Sequence, residues 1–123
     1  MSVETQGHRF RARVEGRGRV VVLELLGELD IAAREEADRA LEAAIASASV
    51  AVVVNLQGLT FMDSTGVRCI FKAKTLADAA GIRLAVLNGS GPGHRVLALI
   101  RMDDVIEIVD SLDQLEPGWA APV

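Results

Sequence analysis

The chain has 123 residues, half of them hydrophobic, with a mean hydropathy of +0.31, enough for one domain around one packed core. A net charge of −4 and a pI of about 5.1 argue against a nucleic-acid binder, which needs a basic face to displace counterions. No apolar run approaches the roughly 20 residues of a membrane span, the opening "MSVETQGHRF" has no apolar signal region, and the single Cys excludes an internal disulfide, so a cytoplasmic protein is expected.

Aromatic residues make up only 3% of the chain, so the core must be built from Val, Leu, Ile and Ala. "FRARVE" (10–15) alternates weakly and predicts a strand, with Arg9, Arg11 and Arg13 on a wet face as befits a sheet edge. "EGRGR" (15–19) carries two glycines and signals a hairpin turn into a stronger strand, "VVVLELLGEL" (20–29). In "DIAAREEADRALEAAIASA" (30–48), Ala37, Ala40, Leu41, Ala44 and Ile45 recur at helical spacing. Asp30 stands at the N-cap position, and Glu35 and Glu36 suit the positive end of the helix dipole.

"VAVVVNL" (50–56) is a continuous apolar run, the pattern of a strand covered on both faces in a parallel sheet. A helix is expected from about 65 to 80, closed by Gly81. Then come a strand "IRLAVLN" (82–88), a loop "GSGPG" (89–93), a short helix "HRVLALIRM" (94–102) and a last strand "VIEIV" (105–109). "SLDQLE" (111–116) suits a final helical turn, while residues 1–8 and 117–123 are expected to be loose. The resulting order, β-β-α-β-α-β-α-β-(α), predicts an α/β fold with a mixed, mostly parallel sheet of about five strands and an opening β-hairpin. No repeat, linker or second domain is visible, so residues 1–123 read as one domain with about 9–116 ordered.

Sites in such sheets form at the carboxyl ends of the strands. Two polar stretches fall there: "GELD" (27–30) and "DSTG" (63–66). Ser64 has two readings. Its hydroxyl suits an N-cap, a role Asp63 would serve equally well. The same helix start, with free N–H groups and a positive dipole end, also tolerates phosphate, so Ser64 is a candidate for phosphorylation. Asp30 is likewise either a cap or a rim carboxylate that bonds a partner.

Gly66, Cys69, Ile70, Ala73, Ala77 and Ala80 form one helical stripe expected to face the sheet. Ser64, Val67, Phe71, Lys74 and Asp78 lie on another, so Val67 and Phe71 are either exposed docking residues beside Ser64 or part of a wide buried arc. Cys69 reads as a small core residue and His8 as a solvated one. "GSGPGH" (89–94) departs from G-x-G-x-x-G at His94, and no phosphate-binding G-x-x-x-x-G-K-[ST] occurs. A hydrolase triad of Ser64, His94 and Asp63 or Asp30 is conceivable, but Ser64 lacks the G-x-S-x-G elbow. One Cys and two His offer no metal-ligand cluster.

"GELD" ending an early strand, "NLQGLTFMDSTGV" some 25 residues later, and the closing "HRVLALI" with "VIEIV" together resemble the STAS-domain anti-sigma factor antagonists of bacteria. D-S-[ST]-G in this context carries most of the likeness. One departure is Arg101, which stands where relatives carry Gly.

The resemblance implies a small cytoplasmic switch that is not an enzyme and needs no cofactor or metal. It implies that the unphosphorylated protein binds an anti-sigma factor that is also a serine kinase of the GHKL ATPase type, releasing a sigma factor. Phosphorylation then switches binding off, and a serine phosphatase resets the protein. Carried onto this chain, Ser64 is the phosphoacceptor, and Asp30, Asp63, Ser64, Thr65, Val67 and Phe71 are the expected partner-binding residues. No direct contact with nucleic acid or membrane is implied. The competing expectations are a scaffold or regulatory subunit of a larger complex, and a nucleotide-binding or hydrolase domain.

Overall fold

A computed structural model describes residues 9–88, 106–109 and 111. It contains strands β1 (Phe10–Arg17), β2 (Val20–Leu29), β3 (Ala51–Met62), β4 (Arg83–Leu87) and β5 (Glu107–Val109), with helices α1 (Arg34–Ser47) and α2 (Ser64–Ala80). The strands form one sheet in the order β1-β2-β3-β4-β5. β1 and β2 pair antiparallel; every later pair is parallel. The expected α/β class, mixed sheet and opening hairpin are therefore present.

The hairpin is tighter than the two glycines suggest. Gly16 pairs with Val21 inside the ladder, and only Gly18 and Arg19 form the turn, with Gly18 at φ 65°. β1 alternates as expected: Phe10 and Ala12 are buried, while Arg9, Arg11 and Arg13 face water. Across the hairpin Arg13 stands opposite Glu24 and bonds it at 3.3 Å, a surface pair worth at most about 1 kcal/mol.

The apolar runs of the inner strands serve two cores because side chains alternate across a sheet. Val21, Leu23, Leu25, Val52, Val54, Leu84 and Val86 share one cluster with Ala37, Leu41, Ala44 and Ile45 of α1 and Ile70, Ala73 and Ala77 of α2. Val20, Val22, Ala51, Val53, Ala85, Leu87 and Val109 form the second cluster. Both helices thus pack on one face of the sheet. Of the stripe expected to face it, Gly66, Cys69, Ile70, Ala73 and Ala77 are buried, whereas Ala80 is exposed at the last turn. Gly81, left-handed at φ 72°, closes α2.

Three boundaries near the strand ends that deliver the helices differ from expectation. The first helix begins as a 3-10 turn, Ile31–Ala33, before α1. α2 begins at Ser64 rather than 65. The largest difference is β3, which continues to Met62 instead of ending at Leu56. Two irregularities extend it. Between the pairs Glu24↔Asn55 and Leu26↔Gly58, β2 advances two residues and β3 three; between Gly27↔Leu59 and Glu28↔Phe61, β2 advances one and β3 two. Each is an extra residue in β3, a bulge that bends the strand and re-aims the side chains beyond it. Asn55 Oδ1 accepts from Gln57 N at 2.9 Å at the first bulge, and Thr60 Oγ1 donates to Gly27 O at 3.1 Å at the second.

The expected loop 89–93, the expected helix 94–102, His8, Arg101 and the segments 1–8 and 117–123 lie outside the described residues, as does the expected turn 111–116 apart from Ser111.

Candidate functional site

The parallel register decides where the two polar motifs meet. Leu29 is the Cα partner of Met62, so β2 and β3 end side by side. Asp30 and Asp63, each the next residue, leave neighbouring strands about 5 Å apart and start neighbouring helical segments. Their backbones are nearly the same, φ −122° and ψ −172° at Asp30, φ −117° and ψ −163° at Asp63. Asp30 Oδ1 accepts from Ala32 N at 3.1 Å and Ala33 N at 3.2 Å. Asp63 Oδ1 accepts from Thr65 N at 2.8 Å. Both carboxylates thus satisfy N–H groups that a helix start leaves open.

The backbone geometry separates the two readings of Ser64. Asp63 is the cap, and Ser64 is the first residue of α2. Ser64 is exposed, and its hydroxyl has no hydrogen-bond partner among the described residues. Thr65, by contrast, is 8% exposed and Val67 7%. Val67 belongs to the core cluster, so the expectation of an exposed Val67 beside Ser64 is corrected: the buried arc of α2 is wide enough to include it. Thr65 is likewise no surface residue. Phe71, two turns beyond Ser64, does reach the surface.

Gly66 is small because the strand ends crowd it. A Cβ there would stand 2.5 Å from Met62 Cγ and 3.0 Å from Leu29 Cδ2. Gly27 is more tightly constrained: its φ is 85°, and a Cβ would fall 1.7 Å from the Arg9 carbonyl oxygen. That same oxygen accepts a hydrogen bond from Glu28 N at 2.9 Å. The glycine of "GELD" therefore lets the hairpin close against the strand end that delivers Asp30.

Two rim residues escaped sequence reasoning. Ile31, directly after the Asp30 cap, is 72% exposed, and Phe61, opposite Glu28, is 46% exposed. Ile31 comes so soon after the apolar strand that it reads as part of the core helix. Phe61 faces water because of the bulges, which a strict alternation does not show. Together with Ser64 they give the rim a hydroxyl flanked by carboxylates and solvent-facing apolar groups, a composition suited to docking a protein.

The remaining chemistry is sparse. Cys69 is buried, and burial, followed by the neighbouring Asp38 carboxylate, pushes its thiol up to about 12, so it stays protonated. Among the described residues no group of three or more His, Cys, Asp or Glu is placed to hold a metal. His94, needed for a triad with Ser64, lies outside the described residues. No helix among them is long and apolar enough to cross a membrane.

Comparison with known proteins gives consistent matches. The STAS domain family matches residues 11–115. An anti-sigma F factor antagonist from Lysinibacillus sphaericus is 39% identical over 77 residues, covering 62% of this chain and 66% of that protein, just short of two thirds of its length. The fold is similar to an anti-sigma factor antagonist from Mycobacterium paratuberculosis, with TM-score 0.77 and 21% identity over 85% of this chain and 88% of that one. It is also similar to the anti-sigma factor antagonist SpoIIAA in its unphosphorylated form, with TM-score 0.67 and 27% identity over 83% of this chain and 90% of that one. The Bacillus cell fate determinant SpoIIAA in its phosphorylated form matches with TM-score 0.62 at the same 27% identity, over 83% of this chain and 94% of that one.

Proposed function

This chain belongs to the STAS-domain family, and we propose that it is an anti-sigma factor antagonist whose docking rim is switched off by phosphorylation of Ser64. The placement of Ser64 carries the proposal: an exposed hydroxyl without a hydrogen-bond partner among the described residues, at the first position of α2 and between two Asp-capped helix starts. The names of the relatives, one of them solved in phosphorylated and unphosphorylated forms, point the same way.

In this reading the unmodified rim docks on a cytoplasmic anti-sigma factor that is also a serine kinase of the GHKL ATPase type. Ile31, Phe61 and Phe71 supply apolar contact; Asp30, Asp63 and Ser64 supply polar contact. Thr65 and Val67 support the surface from beneath, since both are buried. Docking frees a sigma factor. The kinase brings magnesium, ATP and the catalytic base, so this chain only presents a hydroxyl in line.

The phosphate adds a charge of roughly −1.5 to −2 beside Asp30 and Asp63. Desolvating that charge in a close contact opposes binding, and each tenfold loss of affinity needs only about 1.4 kcal/mol. The switch therefore acts locally and leaves the fold intact. A serine phosphatase restores the hydroxyl.

Incubation with the cognate anti-sigma kinase and Mg-ATP, followed by intact and peptide mass spectrometry, tests the assignment. One phosphate is expected, on Ser64, absent from Ser64→Ala and not transferred to the buried Thr65. A kinase that is active on another substrate yet leaves this chain unmodified would refute the switch and favour a scaffold or regulatory subunit.

A further inference from the structure

Helices α1 and α2 leave the rim side by side, and named contacts fix the seam between them. Lys72 Nζ reaches Asp38 Oδ2 at 3.5 Å and Glu42 Oε1 at 3.8 Å. Nearer the rim, Cys69 Sγ lies 4.0 Å from the Arg34 carbonyl oxygen. Ser64, Arg68 and Lys72 are spaced by four residues and so succeed one another along a single stripe, about 5–6 Å apart at Cβ. Arg68 therefore stands between Ser64 and Lys72, level with the start of α1. The Arg34 guanidinium is close enough to Cys69 for its positive charge to oppose the upward push on that thiol.

The two arginines differ from most cations among the described residues. Arg9, Arg13, Arg17, Lys72, Lys74 and Arg83 each reach a carboxylate. Among the described residues neither Arg34 nor Arg68 is within ion-pair distance of one. They stand where carboxylates would otherwise dominate: Asp63 caps α2, Asp30 caps the turn before α1, and Glu28, bonded to Arg9, is the last residue but one of β2. A dianion on Ser64 would adjoin Asp63, its own cap, and share the rim with Asp30 and Glu28. Among the described residues, Arg68 stands one turn along its own helix and Arg34 starts α1 with its carbonyl beside Cys69, so both bring opposite charge to this end of the seam.

We propose that Arg68, assisted by Arg34 across the seam, is a phosphate clamp: it holds the phosphoryl group that Ser64 receives back against the α1–α2 seam. This rests on the reading of Ser64 as the phosphoacceptor and adds to it how the modified form is kept. A guanidinium presents N–H donors in a planar fork that matches two phosphate oxygens, which a lysine ammonium does not. Arg68 is one turn from the acceptor, so the pairing needs no backbone movement. The clamped form should resist the phosphatase, which must compete with the fork for the same oxygens.

The test uses the full chain with phosphoserine inserted at position 64 during translation, so that no kinase is required. Its second ionisation, ordinarily near pH 6, is monitored by phosphorus NMR at low salt. A nearby cation favours the dianion and lowers the midpoint. Arg68→Ala is therefore expected to raise it by about 0.2–0.4 of a pH unit, the size of an exposed charge pair one helical turn apart. Arg68→Lys should restore part of the difference, and Arg19→Ala, in the distant hairpin turn, should not alter it. A midpoint unchanged in Arg68→Ala would overturn the clamp. Failure of the kinase to modify Ser64 would instead overturn the switch and leave this titration as it stands, so the two claims fail separately.

Discussion

Gly27→Ala is expected to lower Tm by roughly 10 °C, corresponding to about 3 kcal/mol for a domain of this size. The left-handed φ of 85° is costly for any residue with a Cβ, by about 1–2 kcal/mol. The added carbon would also occupy the position of the Arg9 carbonyl oxygen, 1.7 Å away. That oxygen must move, which breaks the 2.9 Å bond it accepts from Glu28 N, a further loss of about 1 kcal/mol. Gly16→Ala is the comparison, since a Cβ there meets nothing within 4 Å, and its Tm should stay within about 2 °C of the parent. Thermal unfolding monitored by circular dichroism decides the matter. Equal melting temperatures for the two variants would mean that the hairpin does not constrain the rim.

Phe61→Ala is expected to weaken binding to the cognate anti-sigma factor by about 10- to 100-fold while leaving Tm nearly unchanged. Phe61 is 46% exposed at the rim, so truncating it removes little from the core. Burying an aromatic side chain in an interface contributes about 1.5–3 kcal/mol, which corresponds to that loss of affinity. Ile31→Ala should act in the same direction, because Ile31 is exposed directly after Asp30. Leu76 is a matched control. It is 38% exposed, but it lines a groove with Ala48, Ala80 and Ile82, at the opposite end of the helices. Leu76→Ala should leave affinity unaltered. Loss of binding in Leu76→Ala with none in Phe61→Ala would move the docking surface away from the rim.

The parts of the fold legible in the sequence are those where local chemistry and tertiary packing agree. The Val-rich strands, the Ala and Leu spacing of α1 and the stop at Gly81 each point to the element that forms. β3 beyond Leu56 is hidden for a physical reason. Its continuation, "QGLTFM", carries a glycine and two bulges, so its side chains do not alternate strictly and it reads as a connection. The same bulges turn Phe61 outward, which is why the most exposed aromatic of the rim escapes a reading by pattern. Asp30 as a cap is readable from residue type and position. The choice between Asp63 and Ser64 is not, because both types cap helices and only backbone geometry separates them. Val67 and Phe71 share a stripe in the sequence, yet Val67 lies in the first turn beside the crowded Gly66 and joins the core, while Phe71 sits farther along and reaches water.

The pairing of the two caps is dictated by topology alone once the parallel sheet is accepted. Adjacent parallel strands end on the same side, so "GELD" and "DSTG" must share a rim. Their lateral match, Leu29 beside Met62, depends on the two extra residues in β3. The bulges therefore set the register that brings Asp30, Ile31 and Phe61 alongside Ser64.

The most direct measurement is a calorimetric titration of the cognate anti-sigma factor with the unmodified protein and with the same protein carrying one verified phosphate on Ser64. Affinity at least about 100-fold weaker for the phosphorylated form, near 2.8 kcal/mol, is the predicted result. Equal affinity of the two forms would contradict it, because the rim would then bind without being switched.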